Sequence, residues 1–490
     1  MQGRITRELS LPRGQRVGVR VVIHLRHGSL SAIALAGVLL GSTLVVIRDQ
    51  SNLVGGAASA PNDSPWTVYH GDAQGTGVTN AFKSINTSSP AWTSPQLDGQ
   101  LYGQPIELLG DVYVATENNT VYALSSTTGM VIWSRHFGHA VPSSELPCGN
   151  ISPTVGITGT PVIDPTRKEI FVVADELING KPEHRLVGLN TTSGSVELNR
   201  DVDPRGANPA ALLQRTGLNL DEGHVVFAMG GNYGDCAAYR GRVVSVAESG
   251  SKPRFFTVDP KKGQSQGAIW MGGAAPVVGA TGDVWVSVGN GSVHSSGQPY
   301  DDSDSVLEIS PTMHLLQYFA PTTWTQNNAT DLDMTTAPVL LPHAQVLLTG
   351  KSKIVYLLNE AHLGGIGRGE ASLASACTQD IDGGSANVGQ VVYLPCGNGP
   401  VAIRATSNPP ALNILWSATV DGGGGPPIVA AGLVWTIGGN GVLYGLSPST
   451  GSVSQQATIG VPANHFPTPG VGNGLLLVAN ANQVIAFSAS

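Results

Sequence analysis

Apolar and polar residues alternate along residues 112–133, where the sequence reads VYVATENNTVYALSSTTGMVIW. Two alternating runs flank a polar turn at residues 117–120, and a second turn ends at Gly129, four residues before Trp133. Alternation with a period of two predicts β-strands, and a polar turn between two such runs predicts a hairpin. The segment is therefore one antiparallel unit that ends in a large aromatic residue.

Strands with a short apolar core recur eight times along the chain. They begin at Tyr122, Val187, Val244, Val306, Tyr356, Ala402, Tyr444 and Ile485. The intervals fall from 65 residues to 41, a period that suits units of four strands. A β-sandwich would not repeat one pattern eight times, and a β-helix needs a shorter period.

These units must close into a ring, because each blade buries its faces only against its neighbours. We therefore expect an all-β propeller with eight blades, and seven blades is the alternative. The last repeat ends three residues before the C-terminus. A strand between Trp66 and Trp92 is expected to complete that blade.

A separate segment precedes the repeats. Residues 28–47 form an uncharged, mostly apolar run of twenty residues, and six arginines before this run face one acid, Glu8. Such a run can cross a bilayer, and the arginine excess places the N-terminus in the cytoplasm. The expected organisation is a cytoplasmic segment at 1–27, a transmembrane anchor at 28–47, a linker at 48–65 and a propeller at 66–490. The alternative is a signal peptide cleaved near residues 58–60, which would release a secreted propeller.

Charge and cysteine content describe the environment of the propeller. Residues 1–48 hold seven of the 26 basic residues and one of the 34 acids, so the remaining chain has a net charge of −14. This balance argues against nucleic acid as a partner. All four cysteines lie in the exported part, which favours two disulfides among three possible pairings. The spacing favours Cys377 with Cys396 and Cys148 with Cys236, and the absence of C-x-x-C argues against zinc.

Long insertions enlarge the early blades, notably at residues 141–155 and 201–220. Insertions into repeat proteins map to loops on one face, where binding sites usually form. We therefore expect the binding surface on the face that carries these insertions.

The TTGMVIW ending of the first hairpin resembles the quinoprotein-type repeat. This repeat occurs in the pyrroloquinoline quinone (PQQ) alcohol dehydrogenases and in the BamB-like outer-membrane assembly propellers. Other similar segments are WTVYHGDAQGTG, GITGTPVID, GNYGDCAAYRGRVVSV and TGDVWVSVGNGS. The resemblance covers nearly all of the exported chain and implies a quinoprotein-like propeller.

The resemblance also implies positions for a cofactor. The dehydrogenases bind calcium and PQQ above the central channel, and their calcium ligands would correspond to Asp235 and Asn290 here. Trp270 would stack on the quinone, and the catalytic base would be Asp331 or Asp333. The residue types suit these roles, because calcium prefers oxygen ligands, an indole can cover a quinone ring and a carboxylate can accept an alcohol proton.

The match to the dehydrogenases is incomplete. Their adjacent cysteine pair is absent, the segment with Asp331 and Asp333 lacks the neighbouring histidine and tryptophan, and Asp235 is shorter than the usual glutamate. Ordinary roles also suit these residues: Trp270 as a core anchor, Asn290 and Asp235 in turns, and the remaining acids in solvent. We therefore expect a binding or scaffold module for a protein, glycan or other cell-envelope ligand, without a cofactor. The alternative is an alcohol or sugar dehydrogenase that depends on PQQ and calcium.

Overall fold

The eight apolar repeats are the third strands of eight blades. The computed structural model describes residues 65–258, 261, 263–295 and 297–489. In blades 1 to 7 the strands pair antiparallel in sequence order, from an inner first strand to an outer fourth strand. The all-β architecture with eight blades is therefore confirmed.

The longest strands are the two ten-residue strands of blade 2. Blade 1 consists of Ile106–Leu108, Asp111–Ala115, Thr120–Ser125 and Val131–His136. Blade 2 consists of Val162–Asp164, Glu169–Ile178, Lys181–Asn190 and Val196–Asp201. Blade 3 has a divided first strand and consists of Leu212–Leu213 with Asn219–Asp221, then His224–Gly231, Arg242–Ala247 and Arg254–Thr257. Blade 4 consists of Val277–Val278, Val284–Val288, Ser305–Ile309 and Leu315–Ala320, with Gly365–Ile366 added in parallel at its outer edge.

Each of the last four blades has four strands. Blade 5 consists of Val339–Leu341, Gln345–Leu348, Ile354–Asn359 and Glu370–Ser375. Blade 6 consists of Ala386–Val388, Val391–Leu394, Val401–Ser407 and Pro410–Ser417. Blade 7 consists of Ile428–Ala430, Leu433–Ile437, Val442–Leu446 and Val453–Thr458. Blade 8 consists of Gly470–Gly472, Leu475–Ala479, Val484–Ser488 and Trp92–Thr93.

A few short elements lie between the blades. The insertion after blade 1 forms a ribbon of Val141–Pro142 and Thr154–Val155. The α-helix Trp324–Thr330 connects blades 4 and 5, and the 3₁₀ turns are Tyr69–Gly71, Ser143–Glu145, Pro209–Ala211 and Met271–Gly273.

Strands from opposite ends of the chain close the ring. Trp92 pairs with Ala486, so an early strand becomes the outer strand of blade 8. This is the strand that was expected between Trp66 and Trp92. This pairing supplies the fourth strand of blade 8, so residues from both ends of the described chain form one blade and close the ring.

Outer-strand tryptophans join neighbouring blades. Trp133 of blade 1 donates its Nε1–H to the backbone oxygen of Thr191 in blade 2, at 2.8 Å. A Cβ on Gly194 would lie 2.6 Å from the indole, so the close approach requires glycine. Trp92 and Trp416 make the same kind of contact with turns of the following blades. The tryptophan at the end of the repeated hairpin therefore packs on the next blade and forms a hydrogen bond with it.

The disulfides follow the pairing that the spacing favoured. Cys148 is bonded to Cys236 with a Cα–Cα distance of 6.0 Å, and Cys377 is bonded to Cys396 with a distance of 5.7 Å. The first bridge joins the insertion at 141–155 to a turn of blade 3. The prediction of two disulfides is confirmed.

The predicted cytoplasmic segment at 1–27, the anchor at 28–47 and the linker up to residue 64 lie outside the described residues. Within the described ranges, no helix combines the length and the apolar character that a membrane crossing requires.

Candidate functional site

One face of the ring collects the loops that carry the candidate residues. Consecutive strands of a blade run in opposite directions, so the connection to the next blade and the turn between the second and third strands lie at the same end. We call this end the connector face. Asn290 lies in the second turn of blade 4, and Asp331 and Asp333 lie in the connection between blades 4 and 5. The fold therefore brings together loops that are up to 43 residues apart.

Asn290, Asp331, Asp333 and Lys351 form an acid–lysine cluster on this face. The backbone N–H of Asn290 donates to Oδ1 of Asp333 at 2.6 Å, and its Nδ2 donates to Oδ1 of Asp331 at 2.9 Å. The ammonium of Lys351 lies 2.9 Å from Asp331 and 2.5 Å from Asp333. The cluster is thus a cation between two carboxylates.

Sequence reasoning missed Lys351, which lies in the turn between the second and third strands of blade 5. A lysine in a turn has no motif of its own, and only the ring places it opposite two acids from the preceding connection. Burial lowers the pKa of Lys351, but the charge of Asp333 and its hydrogen bond outweigh burial and raise it. The lysine is therefore held in its charged form.

A third acid, Asp304, lies within electrostatic range of the cluster. Asp304 is fully buried, and neither of its carboxylate oxygens has a hydrogen-bond partner within the described part of the chain. Burial raises its pKa well above the usual range, and the charges of Asp333 and Asp301 add to the shift. Because an isolated buried carboxylate is costly, burial favours the protonated form of Asp304.

Trp270 lies beside the cluster on the connection between blades 3 and 4. Its ring centroid is 5.6 Å from Nζ of Lys351 and 5.8 Å from the ring of Phe466. The side chain is half-buried, unlike Trp285, which is fully buried in the core of blade 4. Trp270 is therefore a residue of the connector face, and Trp285 is the core anchor.

Asp235 has different surroundings. It is exposed in a turn of blade 3, where its Oδ1 accepts a hydrogen bond from the Tyr239 hydroxyl at 2.7 Å. The neighbouring Cys236 ties the same turn to Cys148. Across the described residues, no three His, Cys, Asp or Glu side chains form a group that could hold a metal ion. The structure thus brings together Asn290, Asp331 and Asp333, with Trp270 adjacent, and gives Asp235 a separate partner.

The residues present do not fit a calcium–quinone pair in this arrangement. Calcium takes six to eight oxygen ligands, whereas the two carboxylates of the cluster already contact an ammonium. In the cluster, Oδ1 of Asn290 is a buried oxygen without a hydrogen-bond partner among the described residues. Trp270 is already flanked by Lys351 and Phe466. Lys351 therefore already occupies the space between the two carboxylates and offsets one of their two charges.

A second polar group on this face centres on Arg215, and we call Arg215, Tyr102, Asn464 and Phe466 the arginine site. The Nη2 of Arg215 donates to Oδ1 of Asn464 at 2.7 Å. Its guanidinium carbon lies 5.7 Å from the ring centroid of Tyr102 and 5.8 Å from that of Phe466. The arginine is 92% buried, since only 8% of its surface is exposed. No sequence motif pointed to this group, because its members come from three distant connections.

Glu117 lies within electrostatic range of the arginine site. Its Oε2 accepts hydrogen bonds from the Gly156 N–H at 2.7 Å and the Thr158 hydroxyl at 3.1 Å. Burial raises the pKa of Glu117 to about 7, and these hydrogen bonds and Arg215 oppose the shift. Its other oxygen, Oε1, is buried without a hydrogen-bond partner among the described residues.

Comparisons with known proteins agree with this fold. Residues 73–253 match the family described as outer membrane protein assembly factor BamB. A quinoprotein ethanol dehydrogenase of Pseudomonas putida is 22% identical over 192 residues, which are 39% of this chain. The match spans only 26% of the length of that dehydrogenase.

Solved structures give the same result over most of the chain. A quinohemoprotein alcohol dehydrogenase from Comamonas testosteroni has a TM-score of 0.64 and 15% identity, covering 87% of this chain and 80% of that one. BamB from Moraxella catarrhalis has a TM-score of 0.54 and 12% identity, covering 83% of this chain and 100% of that one. Likeness at such identities shows the fold alone. The resemblance to the PQQ-like propellers is thus confirmed, and it includes both dehydrogenases and BamB.

Proposed function

We propose that this protein is a membrane-anchored, extracytoplasmic propeller that acts as a binding or scaffold module at the cell envelope. The observation that carries the proposal is the position of Lys351 between Asp331 and Asp333. A carboxylate that is paired with an ammonium is a poorer calcium ligand and a poorer proton acceptor than a free one. The proposed ligand is a protein, a glycan or another component of the envelope.

The proposed location rests on separate observations. The arginine excess before the apolar run at 28–47 favours an N-terminus in the cytoplasm, and two disulfides favour an oxidising compartment for the propeller. Secretion after cleavage near residues 58–60 is the alternative. Immunoblotting of membrane and soluble fractions would distinguish an anchored chain from a shorter, released one.

The binding proposal has a direct test. Purified full-length protein in detergent would be mixed with PQQ, calcium, a redox dye and a panel of alcohols and sugars. We expect no quinone-dependent dye reduction, because Lys351 already contacts both acids. Turnover that requires both PQQ and calcium would disprove the proposal.

A second candidate is a dehydrogenase that depends on PQQ and calcium, with Asp331 or Asp333 as the base, Asn290 and Asp235 on calcium and Trp270 against the quinone. The convergence of Asn290, Asp331 and Asp333 favours this candidate. A true ligand stabilises the native state by mass action. If PQQ with calcium produces neither bound-quinone absorption nor a higher melting temperature, the dehydrogenase hypothesis should be abandoned.

A further inference from the structure

Arg215 is a buried cation that no carboxylate of the described residues contacts directly, although Glu117 lies within electrostatic range. In the described part of the chain, no carboxylate lies within the 4.0 Å ion-pair distance of its nitrogens, and its hydrogen bond goes to the neutral Asn464. Lysine and arginine are almost never fully buried unless they are paired. A buried charge that no counter-charge contacts destabilises the folded protein, so a ligand that supplies such a contact would stabilise it.

The surroundings hold the guanidinium in one orientation. Asn464 accepts from Arg215 and from the Phe466 N–H, and its Nδ2 donates to the backbone oxygen of Tyr102 at 2.6 Å. Both groups of the Asn464 amide are therefore engaged, and the amide cannot turn without breaking these bonds. The arginine site is built from side chains that fix one another.

The backbone is also shaped around the guanidinium. Gly273 has φ +89°, and a Cβ at this position would lie 2.4 Å from Nη1 of Arg215. Any larger residue would both strain the backbone and displace the arginine. The glycine therefore gives the guanidinium the room that it occupies.

The guanidinium retains unused hydrogen-bonding capacity. An arginine carries five N–H donors in a planar fork, and the contact with Asn464 uses one of them. Such a fork matches the two oxygens of a carboxylate or phosphate. The flanking rings of Tyr102 and Phe466 exclude water, which strengthens a charge-assisted bond.

We propose that Arg215 is the recognition residue of a binding site for an oxyanion, a carboxylate or phosphate group of the ligand, on the connector face. The site deepens the proposed function, because it assigns a chemical class to the envelope ligand. It does not require PQQ or calcium. Tyr102 and Phe466 flank the bound group, and Asn464 is a positioning residue.

Glu117 makes the proposed binding depend on pH. The titratable groups near Arg215 are Glu117, Tyr102 and Tyr69. Of these, Glu117 titrates near neutrality, whereas burial raises the pKa of both tyrosines. Below pH 7 this carboxyl is largely protonated and does not repel an anion. Above pH 7 it carries a charge, so we expect oxyanion affinity to fall as pH rises from 6 to 8.

The test measures melting temperature and calorimetric affinity of the full-length protein with three probes: inorganic phosphate, citrate and galacturonate. Galactose is the matched neutral control for galacturonate. We expect at least one anion to raise the melting temperature by about 3 °C or more near 100 times its Kd. Phosphate and galacturonate distinguish a phosphate ligand from a carboxylated glycan.

Variants identify the residue responsible. Arg215→Gln should weaken anion binding at least about tenfold, and Arg205→Gln, an exposed arginine, should leave binding unchanged. If Arg215→Gln does not fold, Arg215→Lys keeps the charge but loses the fork, and it should also weaken binding. In wild-type protein the anion should slow hydrogen exchange at residues 460–469.

Two results would overturn the inference: no response of the wild-type protein to any of the three anions, or equal affinity in wild type and in the folded Arg215 variant. PQQ is assayed separately. PQQ-dependent turnover would disprove the binding proposal without bearing on phosphate or citrate, so the two failures can be distinguished.

Discussion

The acid–lysine cluster and the arginine site lie on the same face of the ring but balance their charges differently. In the cluster, the ammonium of Lys351 contacts two carboxylates of the same chain. In the arginine site, the guanidinium of Arg215 has a neutral amide as its hydrogen-bond partner. Both cations lie near aromatic rings. The two cations therefore have similar aromatic neighbours and differ in whether a carboxylate contacts them.

This difference separates a structural role from a binding role. A charge that is paired within the chain is already compensated, and a ligand would have to break that pair. An unpaired buried charge gains a partner only when a ligand arrives. The acids that resemble a quinoprotein centre are thus poorly placed to recruit calcium, whereas Arg215 is well placed to recruit an anion.

The largest predicted loss of stability comes from removing the ammonium of Lys351. Lys351→Met leaves buried Asp333 without its counter-charge, and breaking such a pair destabilises a protein by about 3 to 5 kcal/mol. The free energy of unfolding in urea measures the loss. Lys353→Met is the matched control, since its ammonium is 3.9 Å from the exposed Asp380 and should contribute less than about 1 kcal/mol.

Lys351→Met also tests whether the acid–lysine cluster differs from the arginine site in its need for a ligand. If calcium restores the stability of Lys351→Met, the carboxylates can hold a metal once the ammonium is gone, and the dehydrogenase hypothesis gains support. An unchanged unfolding energy in Lys351→Met would show that the cluster is not a stabilising pair.

Removing either disulfide should lower stability, but only removal of the Cys148–Cys236 bridge should weaken anion binding at the arginine site. The Cys148–Cys236 bridge holds the insertion whose Ile151 and Val155 pack against Tyr102 of the arginine site. Cys148→Ala with Cys236→Ala should cost about 4 kcal/mol and weaken anion binding, because Tyr102 loses this support. Urea unfolding and citrate calorimetry measure the two effects.

The other bridge is the control. Cys377→Ala with Cys396→Ala opens a shorter loop of 19 residues and should cost about 3 kcal/mol without changing anion affinity. Non-reducing peptide mapping of the wild-type protein should link Cys377 to Cys396. Four free thiols in exported protein would contradict both assignments.

Stability should fall as pH rises toward neutrality. Burial raises the pKa of Glu117 from 4.5 to about 7 and that of Asp175 from 3.8 to about 7, so the native state binds more protons than the unfolded state between these values. The unfolding energy should therefore decrease between pH 5 and pH 7, by roughly 1 to 3 kcal/mol. Glu117→Gln should flatten part of this slope. A slope that is equal in wild type and variant would show that Glu117 does not titrate in this range.

The smallest predicted effect is on stability in Arg215→Met without ligand. Replacing a buried, unpaired charge by an apolar group of similar length is often neutral or stabilising, so we expect a change within about 1 kcal/mol or a gain. Thermal unfolding of Arg215→Met and Lys351→Met, measured under the same conditions, compares the two changes in stability. A loss as large as that of Lys351→Met would mean that Arg215 has a structural role, like Lys351.

The architecture could be predicted because it follows from local periodicity. Each third strand has the same apolar core, and these strands recur at intervals that only a repeat of four strands accommodates. The closing strand at Trp92 and the favoured cysteine pairing also followed from positions along the chain. Local patterns therefore carried information on every blade.

The candidate site was less predictable. Resemblance directed attention to Asn290, Asp331 and Asp333, which lie close together, but it could not show that Lys351 lies between the two acids. It also grouped Asp235 with them, and in the structure Asp235 accepts a hydrogen bond from Tyr239. Arg215 and Asn464 are 249 residues apart, and no local pattern relates them.

The sequence by itself determined the blade, its repetition, the basic N-terminal segment and the disposition of cysteines, because these depend on side-chain alternation, charge and spacing between neighbours. Only the tertiary structure decided which charges are paired. A counter-charge depends on distances of a few ångströms between loops from different blades, and those distances arise when the ring closes.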